Sequence, residues 1–190
     1  NADLDGDGYI DLLLSQVTKN HNTGQAFVMW GPITGNIDWS STTDLELYGS
    51  SYGDFTGYVM GAIGGWGSNG GGIAFIAGGG NSYYMLDGES LSVIGTESIS
   101  SVAFGAVTSV GGGSIADRVV DIGDVNGDGI DDIGFHDSGY LTRAYFGPLT
   151  SSVSSSDYDF RYLSTYNSQV DNSDWHYAGD ANNDGHQDLG

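Results

Sequence analysis

The chain has 190 residues, with 25 Asp plus Glu against four Lys plus Arg, a formal charge of −21 and no cysteine. That balance repels a phosphate backbone, which makes nucleic acid a poor partner, and the fold has no disulfide framework to hold it. With 33 glycines and two prolines, turns and short strands are favoured over long helices, and no apolar run approaches the length of a membrane span.

The chain opens on a loop. Residues 3–11 read Asp3-Leu-Asp5-Gly-Asp7-Gly8-Tyr9-Ile-Asp11, with side-chain oxygens at positions 1, 3, 5 and 9 and only a backbone carbonyl, that of Tyr9, at position 7. A hard cation such as Ca²⁺ takes about six to eight oxygens, and a tight loop can present alternate residues to it. The glycine at position 6 suits a sharp turn. After the loop, short alternating apolar runs predict strands at residues 9–17, 25–30, 44–48 and 57–63.

A degenerate copy of the loop follows at residues 65–72. Ile63-Gly64-Gly65-Trp66 parallels Ile122-Gly123-Asp124-Val125, and Ile73-Ala74-Phe75 parallels Ile133-Gly134-Phe135. On that match the copy is one residue shorter than the others, lacks every carboxylate and should bind no metal. Strands are expected next at 72–77, 82–86, 98–106 and 118–122.

The full pattern returns as Asp124, Asn126, Asp128 and Asp132, with Ile130 offering its carbonyl at position 7. Strands follow at 131–136, 141–146, 158–163 and 174–178, with the Ser-rich stretch 151–156 read as a polar loop. A last copy carries Asp180, Asn182, Asp184 and Asp188, with the backbone carbonyl of His186 at position 7. A Gly-Pro turn recurs as Gly31-Pro32-Ile33-Thr34 and Gly147-Pro148-Leu149-Thr150, which supports the repeat independently of the acidic loops.

Loops beginning at residues 3, 65, 124 and 180 set a period of roughly sixty residues. Four short antiparallel strands in such a period are the make-up of a propeller blade. The expected fold is therefore all-β, a single repeat region over 1–190 with about three propeller-type blades. Such a set is a partial propeller, or one that several chains complete through exposed strand edges.

The acidic loops resemble the calcium-binding loops of FG-GAP repeats, the blade repeats of integrin α-subunit propellers and of many secreted bacterial proteins. Residues 123–133, 177–189 and 1–12 carry the resemblance, with residues 145–149 similar to the family's second strand and turn. The family's Gly-Ala-Pro after the calcium strand is absent. The resemblance implies Ca²⁺ as a structural ion in about three sites, an extracellular place, and binding or adhesion toward a protein or carbohydrate ligand instead of catalysis. A self-assembling filament or matrix subunit, a homo-oligomer, is one alternative, and a non-catalytic fragment of a secreted polysaccharide- or lipid-acting enzyme is another. An EF-hand is excluded because position 12 is Leu14 or Phe135, not the bidentate Glu that motif needs. No nucleophile-base spacing supports catalysis by His136-Asp137, and no metalloprotease, P-loop or nucleophile-elbow motif occurs, so the chain is not read as an enzyme. Were the aromatic residues to form a sugar platform, Trp39 and Trp66 would be its exposed pair.

Overall fold

The computed structural model describes residues 2–38, 43–67, 70–78, 81–91, 95–109, 118–137, 141–163, 177–179, 181–182 and 188–189. The chain is all-β. Sheet I has the strand order β1 (Leu12–Gln16), β2 (Gln25–Met29), β3 (Leu45–Tyr48), β7 (Thr96–Ser98). Sheet II runs from β4 (Met60–Ile63) through β5 (Ile73–Gly78), β6 (Ser82–Asp87) and β8 (Gly105–Thr108) to β12 (Val153–Ser154). Sheet III comprises β9 (Arg118–Gly123), β10 (Asp132–Asp137), β11 (Leu141–Tyr145) and β13 (Phe160–Leu163), and a last pair joins β14 (Tyr177–Gly179) to β15 (Asp188–Leu189). Among the described residues, one-turn helices lie between strands at Lys19–Asn22, Gly88–Leu91 and Ile99–Val102. Among the described residues no helix is long and apolar enough to cross a membrane.

The sheets stack in series, and alternation along the strands decides what faces what. On β5, Ala74 and Ile76 join Ala26, Val28, Leu45 and Leu47 of sheet I in one core. Ile73 and Phe75, pointing the other way, join Val119, Ile133, Phe135 and Tyr145 of sheet III in a second. Residues 73–76 are therefore all buried, and sheet II is the middle layer. Side chains of period two supply both faces at once, which is why β5 reads as a continuous apolar run. The described sheets do not close into a ring.

Several expectations change. The strand before the loop at 65–73 or 124–132 pairs with the strand after it, so β4 opens sheet II and β9 opens sheet III. Each sheet boundary thus falls one strand earlier than the sequence reading placed it. The strand expected over 98–106 is broken by the helical turn Ile99–Val102, which buries Ile99 under sheet I. The Ser-rich stretch 151–156 contains β12, and β7 and β12 both pair in parallel with their neighbours where only antiparallel strands were expected.

The degenerate loop is not shorter. Ala74 faces sheet I just as Ile133 faces sheet II, and they pair with Leu86 and Tyr145 respectively. Counting from there, Ile73 stands at position 9 and Gly70 at position 6. The glycines at position 6 agree, with φ of 91° at Gly8, 97° at Gly70 and 89° at Gly129.

Candidate metal centre

The acidic loop at 124–132 joins β9 to β10, the loop at 3–11 leads into β1, and each is wound around its own first carboxylate. In the first loop, Oδ1 of Asp3 accepts hydrogen bonds from the N–H of Gly6 (2.8 Å) and Asp7 (3.1 Å), and Oδ2 from Gly8 (2.8 Å). The Asp7 N–H also reaches Asp5 at 3.2 Å, and Tyr9 donates to Asp7 at 2.8 Å. The loop at 124–132 repeats this donor for donor. Asp124 accepts from Gly127 (2.7 Å), Asp128 (3.0 Å) and Gly129 (2.7 Å). Asn126 accepts from Asp128 at 2.8 Å, and Asp128 from Ile130 at 2.9 Å. Short acidic side chains that hold their own downstream N–H groups are what give such loops one conformation.

Position 9 closes both loops from below. Asp11 is buried, taking the Leu4 N–H at 2.7 Å on one oxygen and the Gly31 N–H at 2.8 Å on the other. Asp132, also buried, takes Val125 at 3.0 Å and Gly147 at 2.9 Å. One carboxylate therefore ties the loop to the Gly-Pro turn after the sheet's next strand. In the degenerate loop Ile73 occupies this position inside the core, and the backbone takes over. Gly88, the counterpart of Gly31 and Gly147, donates to the Gly72 carbonyl at 3.0 Å, and Gly67 donates to Gly71 at 2.8 Å.

Oxygens of Asp3, Asp5 and Asp11 all lie within 4.8 Å of one another. Ca²⁺–oxygen bonds of about 2.3–2.6 Å place two ligands of one ion no further apart than roughly 5 Å, so this donor set fits such an ion. The cluster is electrostatically stressed. Burial pushes the Asp5 carboxyl above the ordinary carboxylate value, against a hydrogen bond from Asp7, and the charges of Asp11, Asp7 and Asp3 push it the same way. Burial likewise raises Asp132, opposed by its bonds from Gly147 and Val125 and reinforced by Asp128. In the second loop Asn126 also donates its amide to Asp128 at 3.0 Å.

The structure thus assembles Asp3, Asp5 and Asp11 in one place, with Asp7 beside them, and gives Asp124, Asn126, Asp128 and Asp132 the same backbone frame. Tyr9 and Ile130 occupy position 7. Of the last loop, Asn182 is exposed and Asp188 begins β15, whereas Asp180, Asp184 and His186 lie outside the described residues. Trp39 also lies outside them. Trp66 is no sugar platform. It is 8% exposed, its indole N–H donates to the Asp131 carbonyl at 2.6 Å, and a side chain on Gly147 would collide with its ring.

Sequence reasoning missed position 2. Leu4 is wholly buried under the degenerate loop, and its carbonyl accepts the Gly72 N–H at 2.9 Å. Trp66, also at position 2, wedges against the loop at 124–132. The first loop is thereby locked to the degenerate one and the degenerate one to the loop at 124–132, and a large apolar residue at position 2 was the available signal.

Asp132 should matter without any ion. Replacing it by Ala leaves the Val125 and Gly147 N–H groups without acceptors, at about 1–3 kcal/mol for each buried donor. We expect Asp132→Ala to lose about 2–4 kcal/mol in urea melts run in chelator. An unchanged midpoint there would show that the carboxylate acts only through a cation.

No protein-family model matches the chain, and no curated protein matches it.

Proposed function

We propose that this chain is an extracellular calcium-binding module of propeller-type blades, in which the ion fixes the acidic loops that lead into β1, β10 and β15. The observation that carries this reading is the pair of acidic loops at 3–11 and 124–132, which share seven hydrogen bonds donor for donor. Asp3, Asp5, Asp7 and Asp11 would hold one ion, and Asp124, Asn126, Asp128 and Asp132 a second, with the carbonyls of Tyr9 and Ile130 at position 7. The last loop would hold a third through Asp180, Asn182, Asp184, His186 and Asp188. Each position-9 oxygen already accepts one N–H and keeps a second lone pair for a cation. The resident ion would supply charge neutralisation and no chemistry on a substrate.

Sheets of four or five strands that stack face to face, with the loops at 65–73 and 124–132 joining the first strand of a sheet to its second, support the blade reading and the resemblance to FG-GAP repeats. An acidic, cysteine-free chain whose loops suit weak, non-sensor calcium sites supports a place outside the cell, where millimolar Ca²⁺ fills them. A binding or adhesive role follows from the same architecture. Titration calorimetry tests the reading. The chelator-stripped chain should take up Ca²⁺ in preference to Mg²⁺. The Asp3→Asn/Asp5→Asn double variant should lose one equivalent, while Asn69→Ala in the degenerate loop should lose none. No calcium heat at millimolar ion would end this reading.

A further inference from the structure

Sheets I and III share a detail that sheet II reverses. Just past β2 stands Trp30, whose N–H donates to the Asp44 carboxylate at 2.9 Å, and just past β11 stands Phe146, whose N–H donates to Asp159 at 2.7 Å. Each acid precedes the neighbouring strand and is placed by its own N–H, which reaches the Val28 carbonyl at 3.2 Å from Asp44 and the Ala144 carbonyl at 2.9 Å from Asp159. The same bond in sheet II runs from the Phe104 N–H to the Met85 carbonyl at 3.1 Å. Phe104 therefore stands where the other sheets carry Asp. Asp87, just before Gly88, stands where they carry Trp30 and Phe146. The acid and the aromatic residue have changed places.

The exchange deprives the acid of its backbone donor. Asp87 Oδ2 accepts the Ser90 hydroxyl at 2.9 Å, but Oδ1 is buried and has no hydrogen-bond partner among the described residues. A buried acceptor in that state is uncommon. The exchange also opens a space. Leu86 lies in the core against sheet I, so alternation turns its neighbour Asp87 toward sheet III. In sheet I the equivalent Trp30 packs against the core in front of it. In front of Asp87 there is instead a cleft of about 210 Å³, lined by Trp66, Ile73, Val102, Phe104 and Leu149 beside Asp87 and Ser90. Trp66 is a fixed wall, because its indole N–H is committed to the Asp131 carbonyl at 2.6 Å. Phe104 is 41% exposed.

We infer that this cleft between sheets II and III binds an alkylammonium group, with the charge on the Asp87 carboxylate and the carbon chain against Trp66, Phe104 and Leu149. One carboxylate supplies too few oxygens for Ca²⁺. One charge among apolar walls suits a ligand with one charged end. An ammonium brings three N–H donors and asks for no donor in return, and aromatic faces attract it further. The last torsion of an Asp side chain is soft and two-fold, so either oxygen can turn to the ligand while the other keeps Ser90. The cleft is smaller than the roughly 300–1,000 Å³ of drug-sized sites, which limits the ligand to a short chain. The formal charge of −21 raises the local concentration of any cation. No residue of the acidic loops lines the cleft, so the site holds whether or not those loops take calcium.

The test titrates n-butylammonium chloride, and n-butanol as its neutral counterpart, into the native chain at constant ionic strength, followed by amide and indole signals in nitrogen-15 NMR. Butylammonium should shift the Trp66 indole and the Ser90 and Leu149 amides saturably, at least about tenfold more tightly than butanol, as a desolvated charge pair requires. Asp87→Asn keeps the shape, removes the charge and should lose that advantage. Glu97→Gln removes the same charge from an exposed position on β7 and should keep it. The exchange variant Asp87→Phe/Phe104→Asp, which restores the arrangement of sheets I and III, should fold and bind neither probe. No saturable shift, equal affinity for the two probes, or undiminished binding by Asp87→Asn would overturn the inference. Nα-acetyl-lysine methylamide separates the two sources of the ammonium. Binding at least as tight as butylammonium's assigns the cleft to a lysine side chain of a partner, and weaker binding assigns it to a free amine.

Discussion

Adding Ca²⁺ to the chelator-stripped chain should raise its thermal midpoint by about 10–20 °C. An ion that binds only the folded form at about a hundred times its dissociation constant stabilises it by roughly 2.7 kcal/mol per site. The two loops seen in full, 3–11 and 124–132, would therefore contribute about 5 kcal/mol. For a chain of this size each kcal/mol moves the midpoint by about 2–4 °C. The gain should be large because the stripped loops hold carboxylates whose charged form burial disfavours. Burial and the neighbouring carboxylates already push Asp5 upward, and burial does the same to Asp132. A divalent cation relieves both. Mg²⁺ should give a smaller shift, since it demands a tight octahedral shell and sheds water reluctantly. Differential scanning calorimetry against ion concentration is the measurement. A midpoint indifferent to Ca²⁺ would leave the acidic loops as self-capped turns, held by their backbone bonds alone.

The loops were legible in the sequence because their chemistry is local. Asp at positions 1, 3 and 5 binds the N–H groups just downstream, so spacing along the chain is spacing in space. Sheet membership was not legible. Alternation tells which face a strand buries but not which strand it pairs with, so the strand expected over 57–63 is found at Met60–Ile63, in sheet II instead of sheet I. The parallel strands at Thr96–Ser98 and Val153–Ser154 are too short to show a period, and each is held from one side by a strand of another repeat. The degenerate loop was misjudged for an instructive reason. Phe75 and Phe135 match in type but not in place. Phe75 faces sheet III, Phe135 faces sheet II, and their rings meet edge to face at 5.7 Å. Aligning them slipped the register by one residue, which exchanges the two faces of a strand. The pair are partners across the seam, not equivalents within the repeat.

That seam is where a single substitution should cost most. Phe135 is wholly buried and makes edge-to-face contacts with Phe75, with Tyr83 at 5.3 Å and with Tyr145 at 5.5 Å. The Tyr145 hydroxyl is pinned in turn to the Ser154 carbonyl at 3.2 Å, and burial raises its pKa to about 12. Truncating Phe135 to Ala removes the one ring all three neighbours touch, and a rigid aromatic cluster cannot collapse to fill the hole. We expect a loss of about 3–5 kcal/mol in urea melts. The change should also be felt unequally by the two loops. Asp132 and Phe135 lie on the same strand, β10, so loosening the seam frees the position-9 carboxylate that anchors the loop at 124–132. The loop at 3–11 hangs from β1 in sheet I and draws on the other core. Calcium affinity should therefore weaken at one site and hold at the other, giving a biphasic titration where the native chain gives a tighter one. A loss below about 1 kcal/mol would mean that sheets II and III are not held together through this ring.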